Sequence, residues 1–388
     1  MDFEDTPDEA AWRAEVRSFL EAHGDGGEDP RAWQATLYDA GFVGVTWPEA
    51  AGGRGGTPMQ QAIVDQEMAR LGRPALINLI GIGMCGPTVI MHGTPDQQER
   101  YLKRLLRADD LWCQLFSEPA AGSDLAGLRT RAVRDDDGGW RISGQKVWTT
   151  LAHLADYGIL LTRTDPDVPK HRGLTMFVVD MKAPGVTVRP LKQMNGEAHF
   201  NEVFFDDVAV PDTERLGDIG DGWRVALTTL MSERLSLGGG GTSIGPKPET
   251  VARHVAGHIG ALSADRQALV RQQLGRGYVA ALGARYTGYR QLSKLSRGEL
   301  PGPEASAGKL SGTRSARDLT DLAVRVLGDD ARVAGDIWQN AQAVLPGMAI
   351  AGGSDQVLRN IIGERVLGLP AEPRADKGVT FRESLHEL

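Results

Sequence analysis

The sequence predicts an α+β protein built from three successive segments: helices, a small β domain, then helices again. Three observations carry this. Apolar residues repeat at helical spacing up to about residue 110. From about residue 111 the pattern becomes short β-branched and aromatic runs, separated by Gly, Pro, Asp or Asn turns. From Asp221 long helical patterns return. The boundaries expected are 1–113, 114–222 and 223–388.

The 388 residues are enough for a large buried core and more than one domain. An apolar fraction of 41% and a charged fraction of 24% are those of a globular chain. The net charge is −8 and no dense Lys/Arg run occurs, which argues against a nucleic-acid or anionic-membrane surface. The two cysteines, Cys85 and Cys113, form no CxxC and no metal-ligand spacing. They read as free thiols in a reducing compartment, and no metal is expected. The start, "MDFEDTPDEA", has no apolar signal region, and the longest apolar run is broken by glycines and too short for a bilayer. The expectation is a soluble cytoplasmic protein.

In the first segment, "AAWRAEVRSFLEAHG" places Trp12, Val16, Phe19 and Leu20 at helical spacing, with Gly24 as the stop. "DPRAWQATLYDAGF" repeats the style. "TPMQQAIVDQEMARLG" and "TPDQQERYLKRLL" each open on Thr-Pro, a cap followed by a favoured first helical residue. "WPEAAGGRGG" between them is an irregular glycine-rich loop. Six β-like runs follow: "LWCQLFSE", "WRISGQKVWTT", "YGILLTRT", "LTMFVVDM", "VTVRPL" and "EVFFDDVAV". They suggest a small sandwich or barrel. In "DGWRVALTTLMSERLSL" Trp223, Leu227, Leu230 and Met231 read as one helix face. Helical patterns near 248–262, 267–296, 304–327 and 354–367 fit a four-helix bundle.

Five motifs in order, "WPEAAGGRGG" (47–56), "LFSEPAAGSDLAGLRTRA" (115–132), "GQKVWTT" (144–150), "NEVFFDDVAVP" (201–211) and "GGSDQVLRNIIGERVLGLP" (352–370), resemble the acyl-CoA dehydrogenase family. They span nearly the whole chain. The resemblance implies an N-terminal α-helical domain, a middle β-barrel and a C-terminal four-helix bundle. It also implies FAD-dependent removal of two hydrogens from Cα and Cβ of an acyl-CoA thioester, with a carboxylate taking the Cα proton and N5 of FAD accepting the Cβ hydride. An electron-transferring flavoprotein is the implied acceptor, and a homodimer or homotetramer the implied assembly.

Carried over residue by residue, the resemblance puts the cofactor against Gln114, Phe116, Ser117, Gly122, Ser123, Trp148, Thr150, Gly353, Ser354 and Gln356. Ser117 is the hydroxyl bonding the flavin, and Ser123 lies near both the flavin and CoA. Trp148 and Thr150 pack against the isoalloxazine and bond near N5; an aromatic face beside a flat ring is a favourable stack. Ser354 and Gln356 resemble residues that contact the adenosine half. The plainer readings are a polar turn for "FSEPAAGSD", a core tryptophan for Trp148 and a helix cap for Ser354.

Many family members carry the catalytic Glu at the position held here by Gly352. Glycine abstracts no proton, although its N–H can still bind a thioester oxygen. The reaction needs a positioned base. "SERL" matches a subset, including isovaleryl-CoA dehydrogenase-like enzymes, that places its Glu just before an active-site Arg. This makes Glu233 the candidate base, with Arg234, Ser123 and Gly352 on the substrate. At about 100° per residue Arg234 falls within the Leu227/Leu230/Met231/Leu235 stripe and Glu233 at its edge. A charge on an apolar stripe is costly unless paired. The competing reading is an interhelical ion pair. The glycines Gly238–Gly241 either clear room for the acyl chain or end the helix.

A second departure is the absence of the family's Arg-x-x-Phe-Gly motif, which contacts the FAD pyrophosphate across a dimer interface. The corresponding stretch reads "GHIGALSADRQALVRQQLG", and the partner glycine segment shrinks to "VLGDDARV". Two alternatives stand beside the dehydrogenase: a flavin oxidase or monooxygenase on the same scaffold, and a half-site subunit of a hetero-oligomer with a paralogous chain.

Overall fold

The computed structural model describes residues 4–24, 26–27, 29–238, 245–299, 302–333, 336–373, 376 and 378–385, without the side chains of residues 234–238 and 332. The chain divides into two compact units. One comprises Met1–Lys192, Ala198–Glu233 and Pro373–Leu388; the other comprises Gln193–Glu197 and Arg234–Glu372.

The first unit begins with α1 (Pro7–Ala22), α2 (Pro30–Asp39), α3 (Pro58–Arg70), α4 (Gly86–His92) and α5 (Pro95–Arg107). Both expected Thr-Pro starts are capping boxes. Thr57 and Thr94 accept from the N–H three residues on, and Gln60 and Gln97 reach back to the cap N–H. Thr6-Pro7 opens α1 in the same way through Glu9. Trp12, Val16 and Leu20 are the buried line of α1, joined in one core by Leu37, Ile63, Leu102 and Leu105. Each such aliphatic side chain, taken fully out of water, stabilises by about 1.5–3 kcal/mol. Trp47 in the glycine-rich loop lies so close to Gly86 that a β-carbon there would sit 1.9 Å from the indole. Only glycine fits at that crossing.

The β segment contains β1 (Trp112–Leu115), β2 (Arg131–Arg134), β3 (Trp140–Thr150), β4 (Tyr157–Arg163), β5 (Leu174–Asp180), β6 (Val186–Leu191), β7 (Phe200–Val210) and β8 (Arg215–Leu216). The ladder order is β6-β7-β3-β2-β4-β5-β8, with β1 parallel to β4. All six expected runs are strands; the short β2 and β8 are additional. β4 and β5 are buried on both faces, hence their unbroken apolar runs. Ile159, Leu161, Met176 and Val178 face the helical layer. Leu160, Phe177 and Val179 face β3 and β7, where Phe177 packs 5.3 Å from Trp140. The strands thus fold over a second core, as a small sandwich does.

α6 (Gly222–Gly238) leaves the first unit at Glu233. The second unit adds α7 (Pro248–Ile259), α8 (Ala264–Ser296), α9 (Ser306–Leu327), α10 (Ile337–Met348) and α11 (Asp355–Ile361), with Val251, Val255, Leu319, Leu322 and Trp338 in its core. Sequence periodicity missed α10, because Pro346-Gly347 inside it reads as a turn. The last helix, α12 (Phe381–Ser384), belongs to the first unit, where the Arg163 guanidinium lies 3.6 Å from the Phe381 ring. Among the described residues no helix is long and apolar enough to cross a membrane.

Candidate functional site

The expected cofactor residues of the first unit gather where β1 runs out onto β3. Gln114 is half-buried and opposite Ile159 of β4, and Phe116 is buried. The next residues lie along β3: the Phe116 carbonyl accepts from Lys146 Nζ at 3.0 Å, and the Ser117 carbonyl accepts from the Val147 N–H at 2.9 Å.

That second bond explains a distortion. β3 and β7 slip register between Lys146 and Thr149, a β-bulge, because the Val147 N–H turns to Ser117 instead of β7. Trp148, in the bulge, takes φ +60° and is 62% exposed. A bulky residue in the left-handed region costs about 1–2 kcal/mol. A large indole held in strain at the surface is the opposite of a core tryptophan, so that plainer reading falls. Thr150 is half-buried and paired with Phe200, while the Thr149 hydroxyl is buried with no partner among the described residues. An exposed aromatic face with hydroxyls close by in the chain suits a flat ring with polar edges. The residues present therefore fit a flavin.

Under this edge lies an ion pair that sequence reasoning missed. Glu118 Oε1 accepts from Lys146 Nζ at 2.9 Å and from the Thr130 N–H at 2.8 Å, and Oε2 from the Arg129 N–H at 2.6 Å. Burial works to raise the Glu118 carboxyl, but the Lys146 ammonium and the N–H donors outweigh it and hold it below the ordinary value. Burial pulls Lys146 down to about 8, which leaves the pair ionic at neutral pH. Glu118 is thus an anion engaged by the fold. The signal was present: Trp140, Ile142 and Lys146 share the inward register of β3. Beyond Glu118 the chain turns back on itself by paired bonds with Ala121, which leaves Gly122 and Ser123 exposed.

Glu233 is half-buried; of the expected stripe, Trp223 and Leu230 pack against the core, but the other two members do not. Leu227 and Met231 are 39% and 43% exposed. The buried face is Val225, Ala226 and Thr229, where small side chains allow close approach. Glu233 follows Thr229 by four residues and Ala226 by seven, so it continues the packed line itself. The Thr229 and Thr88 hydroxyls meet at 2.8 Å, and Thr228 meets His92 Nε2 at 2.8 Å, tying α6 to α4. The Arg234 side chain and residues 239–241 lie outside the described residues.

In the second unit, Gly352 and Gly353 take φ +66° and +89°. Among the described residues neither N–H has a protein acceptor. Ser354 caps α11, its hydroxyl accepting from the Val357 N–H at 3.3 Å, and Gln356 is exposed on the first turn. Asp355, three residues beyond Gly352, is engaged by Lys309 at 3.3 Å. Among the described residues no cluster of His, Cys, Asp and Glu could hold a metal ion.

Comparison with known proteins decides the family. Family models for the N-terminal, middle and C-terminal domains of acyl-CoA dehydrogenase match residues 6–109, 113–208 and 220–367. The chain belongs to the acyl-CoA dehydrogenase family. Acyl-CoA dehydrogenase FadE34 of Mycobacterium tuberculosis is 42% identical over 345 residues, covering 87% of this chain. The chain spans about half of that relative, 46% of its length. Acyl-CoA dehydrogenase IpdE1 of the same organism is 38% identical over 360 residues, covering 89% of this chain and 90% of the relative. A solved structure described as "Tcur3481-Tcur3483 steroid ACAD" superposes with a TM-score of 0.80 at 30% identity, over 96% of this chain and 100% of that one.

Proposed function

We propose that the chain is an FAD-dependent dehydrogenase that converts an acyl-CoA thioester to the 2-enoyl-CoA, with Glu233 taking the Cα proton. The observation that carries this is the placement of Glu233. It is a half-buried carboxylate on the packed line of α6, behind a buried Thr229–Thr88 bond, in a chain with glycine at the family's other base position. A partly desolvated carboxylate on a fixed helix is the form a general base takes.

Each remaining residue has one task. Trp148 presents a ring face, and Ser117 and Thr150 offer hydroxyls to the flavin edge. Gln114, Phe116, Gly122 and Ser123 form the strand and turn around it, with Ser123 also near CoA. Gly353, Ser354 and Gln356 receive the adenosine half. The free N–H of Gly352 binds the thioester oxygen, where negative charge grows as the proton leaves, and Arg234 contacts the substrate. When bound, FAD supplies the acceptor for the hydride leaving Cβ. An electron-transferring flavoprotein takes the electrons onward.

One alternative has its own support. The Arg-x-x-Phe-Gly motif is absent, FadE34 is about twice as long as the matched region, and the similar solved structure bears a paired name. These favour a subunit that completes its flavin site with a paralogous chain. Purification alone and with a co-encoded paralogue separates the two: yellow protein alone supports the self-sufficient form, and FAD uptake only in the pair supports the half-site.

A further inference from the structure

Lys309 lies on the second turn of α9 and is only 3% exposed. Its ammonium donates to the Gly353 carbonyl at 3.0 Å and to Asp355 Oδ1 at 3.3 Å. A buried ammonium is costly unless paired, so a lysine here is held for the contacts it makes. Both contacts bracket the turn at Gly352–Ser354. Two successive glycines in the left-handed region are a loose choice for a fixed turn, since glycine loses more backbone entropy than any other residue on ordering. The backbone bonds that close the loop lie outside the glycines: Ala351 N–H to Gly347, and Asp355 N–H to Ala349. Lys309 is the side chain that grips the Gly353 carbonyl itself.

We propose that Lys309 is a positioning residue that fixes the Gly352–Gly353 turn so that its free N–H groups stay aimed at the substrate's thioester oxygen. The assignment rests on the dehydrogenase reading for its consequence, but not for the grip. An N–H stabilises an enolate oxygen only when its direction is set in advance. Lys309 sets it by holding the Gly353 carbonyl, which fixes the Gly353–Ser354 peptide plane and so limits the rotation of the two glycine N–H groups just before it. Asp355 pairs with the same ammonium and anchors it on the far side of the turn.

Two readouts test this on the FAD-loaded full chain. The first is hydrogen–deuterium exchange of the peptide spanning 349–358, in wild type, Lys309→Met, Lys309→Arg and Asp355→Asn. Lys309→Met should raise exchange there, with or without FAD. Lys309→Arg should restore much of the protection, and Asp355→Asn should raise exchange least because the carbonyl bond survives. The second is titration with acetoacetyl-CoA, whose acidic Cα–H gives an enolate that forms a long-wavelength band against oxidised flavin. Lys309→Met should move the pH midpoint of that band upward by about one unit or more, given that a single oriented donor is worth roughly a hundredfold or more. Unchanged exchange in Lys309→Met overturns the grip. Raised exchange with an unmoved midpoint overturns the role toward the thioester. If wild type binds acetoacetyl-CoA but shows no band at any pH, the dehydrogenase reading fails, and exchange still decides the grip.

Discussion

The hydroxyls of Thr88 on α4 and Thr229 on α6 meet at 2.8 Å, and both side chains are fully buried. Thr88 also contacts the Met84 carbonyl at 2.8 Å. Thr229 likewise contacts the Val225 carbonyl at 3.4 Å, so each hydroxyl has a carbonyl of its own helix beside it and either can donate in the bond between them. Glu233 lies one turn beyond, so this bond sets where the proposed base points.

Replacing either threonine by valine should cost about 0.5–1.5 kcal/mol, the net worth of the bond between the hydroxyls, since the remaining hydroxyl keeps the carbonyl of its own helix. The double variant should cost less than the sum, because the shared bond is lost only once. Urea unfolding of the four proteins measures the cycle. With acyl-CoA, the single variants should also lose roughly tenfold or more in kcat through misplacement of Glu233. Additive stabilities would show that the two hydroxyls do not interact.

Trp148 offers a separation of stability from binding. Glycine suits φ +60°, so Trp148→Gly relieves strain while it adds backbone entropy to the unfolded chain. The two terms offset, and the apoprotein should stay within about 1 kcal/mol of wild type. Trp148→Ala keeps the strain and should be the less stable of the two. FAD affinity should fall at least tenfold in both, measured by flavin fluorescence quenching. A Trp148→Gly apoprotein that melts far below wild type would mean the indole is structural.

The Glu118–Lys146 pair predicts an acid limb. The Glu118 carboxyl is held below its ordinary value of 4.5 in the folded protein. Its contribution is thus fully present above the unfolded value and is lost as pH falls through the folded one. Melting temperature should drop as pH is lowered below about 4.5. Lys146→Met removes the cation, should cost about 3–5 kcal/mol at neutral pH, and should flatten the acid limb, because a Glu118 carboxyl no longer held below its unfolded value loses no stability on protonation. An acid limb as steep as that of wild type would show that Lys146 does not hold Glu118.

Where the fold was legible in the sequence, a local signal existed. Thr-Pro starts gave capped helices, and unbroken apolar runs gave the doubly buried β4 and β5. The proposed site rests on motifs, and the local mechanics around those residues were not legible in them. The bulge at Trp148 depends on Val147 donating to Ser117, thirty residues away in the chain. No local pattern encodes that. On α6 the large residues Leu227 and Met231 drew the expected stripe, yet the helix packs on Ala226 and Thr229, whose small size permits closer contact. Lys309 reads as an ordinary surface lysine until the Gly353 carbonyl is seen against it.

The account turns on Glu233 as the base, and one measurement reaches it directly. Anaerobic titration of the FAD-loaded protein with a panel of straight-chain, branched and steroid-side-chain acyl-CoA thioesters follows the flavin absorbance. Wild type should bleach with at least one thioester. Glu233→Gln should keep its FAD, bind the same thioester and fail to bleach. A Glu233→Gln protein that bleaches at the wild-type rate would contradict the assignment.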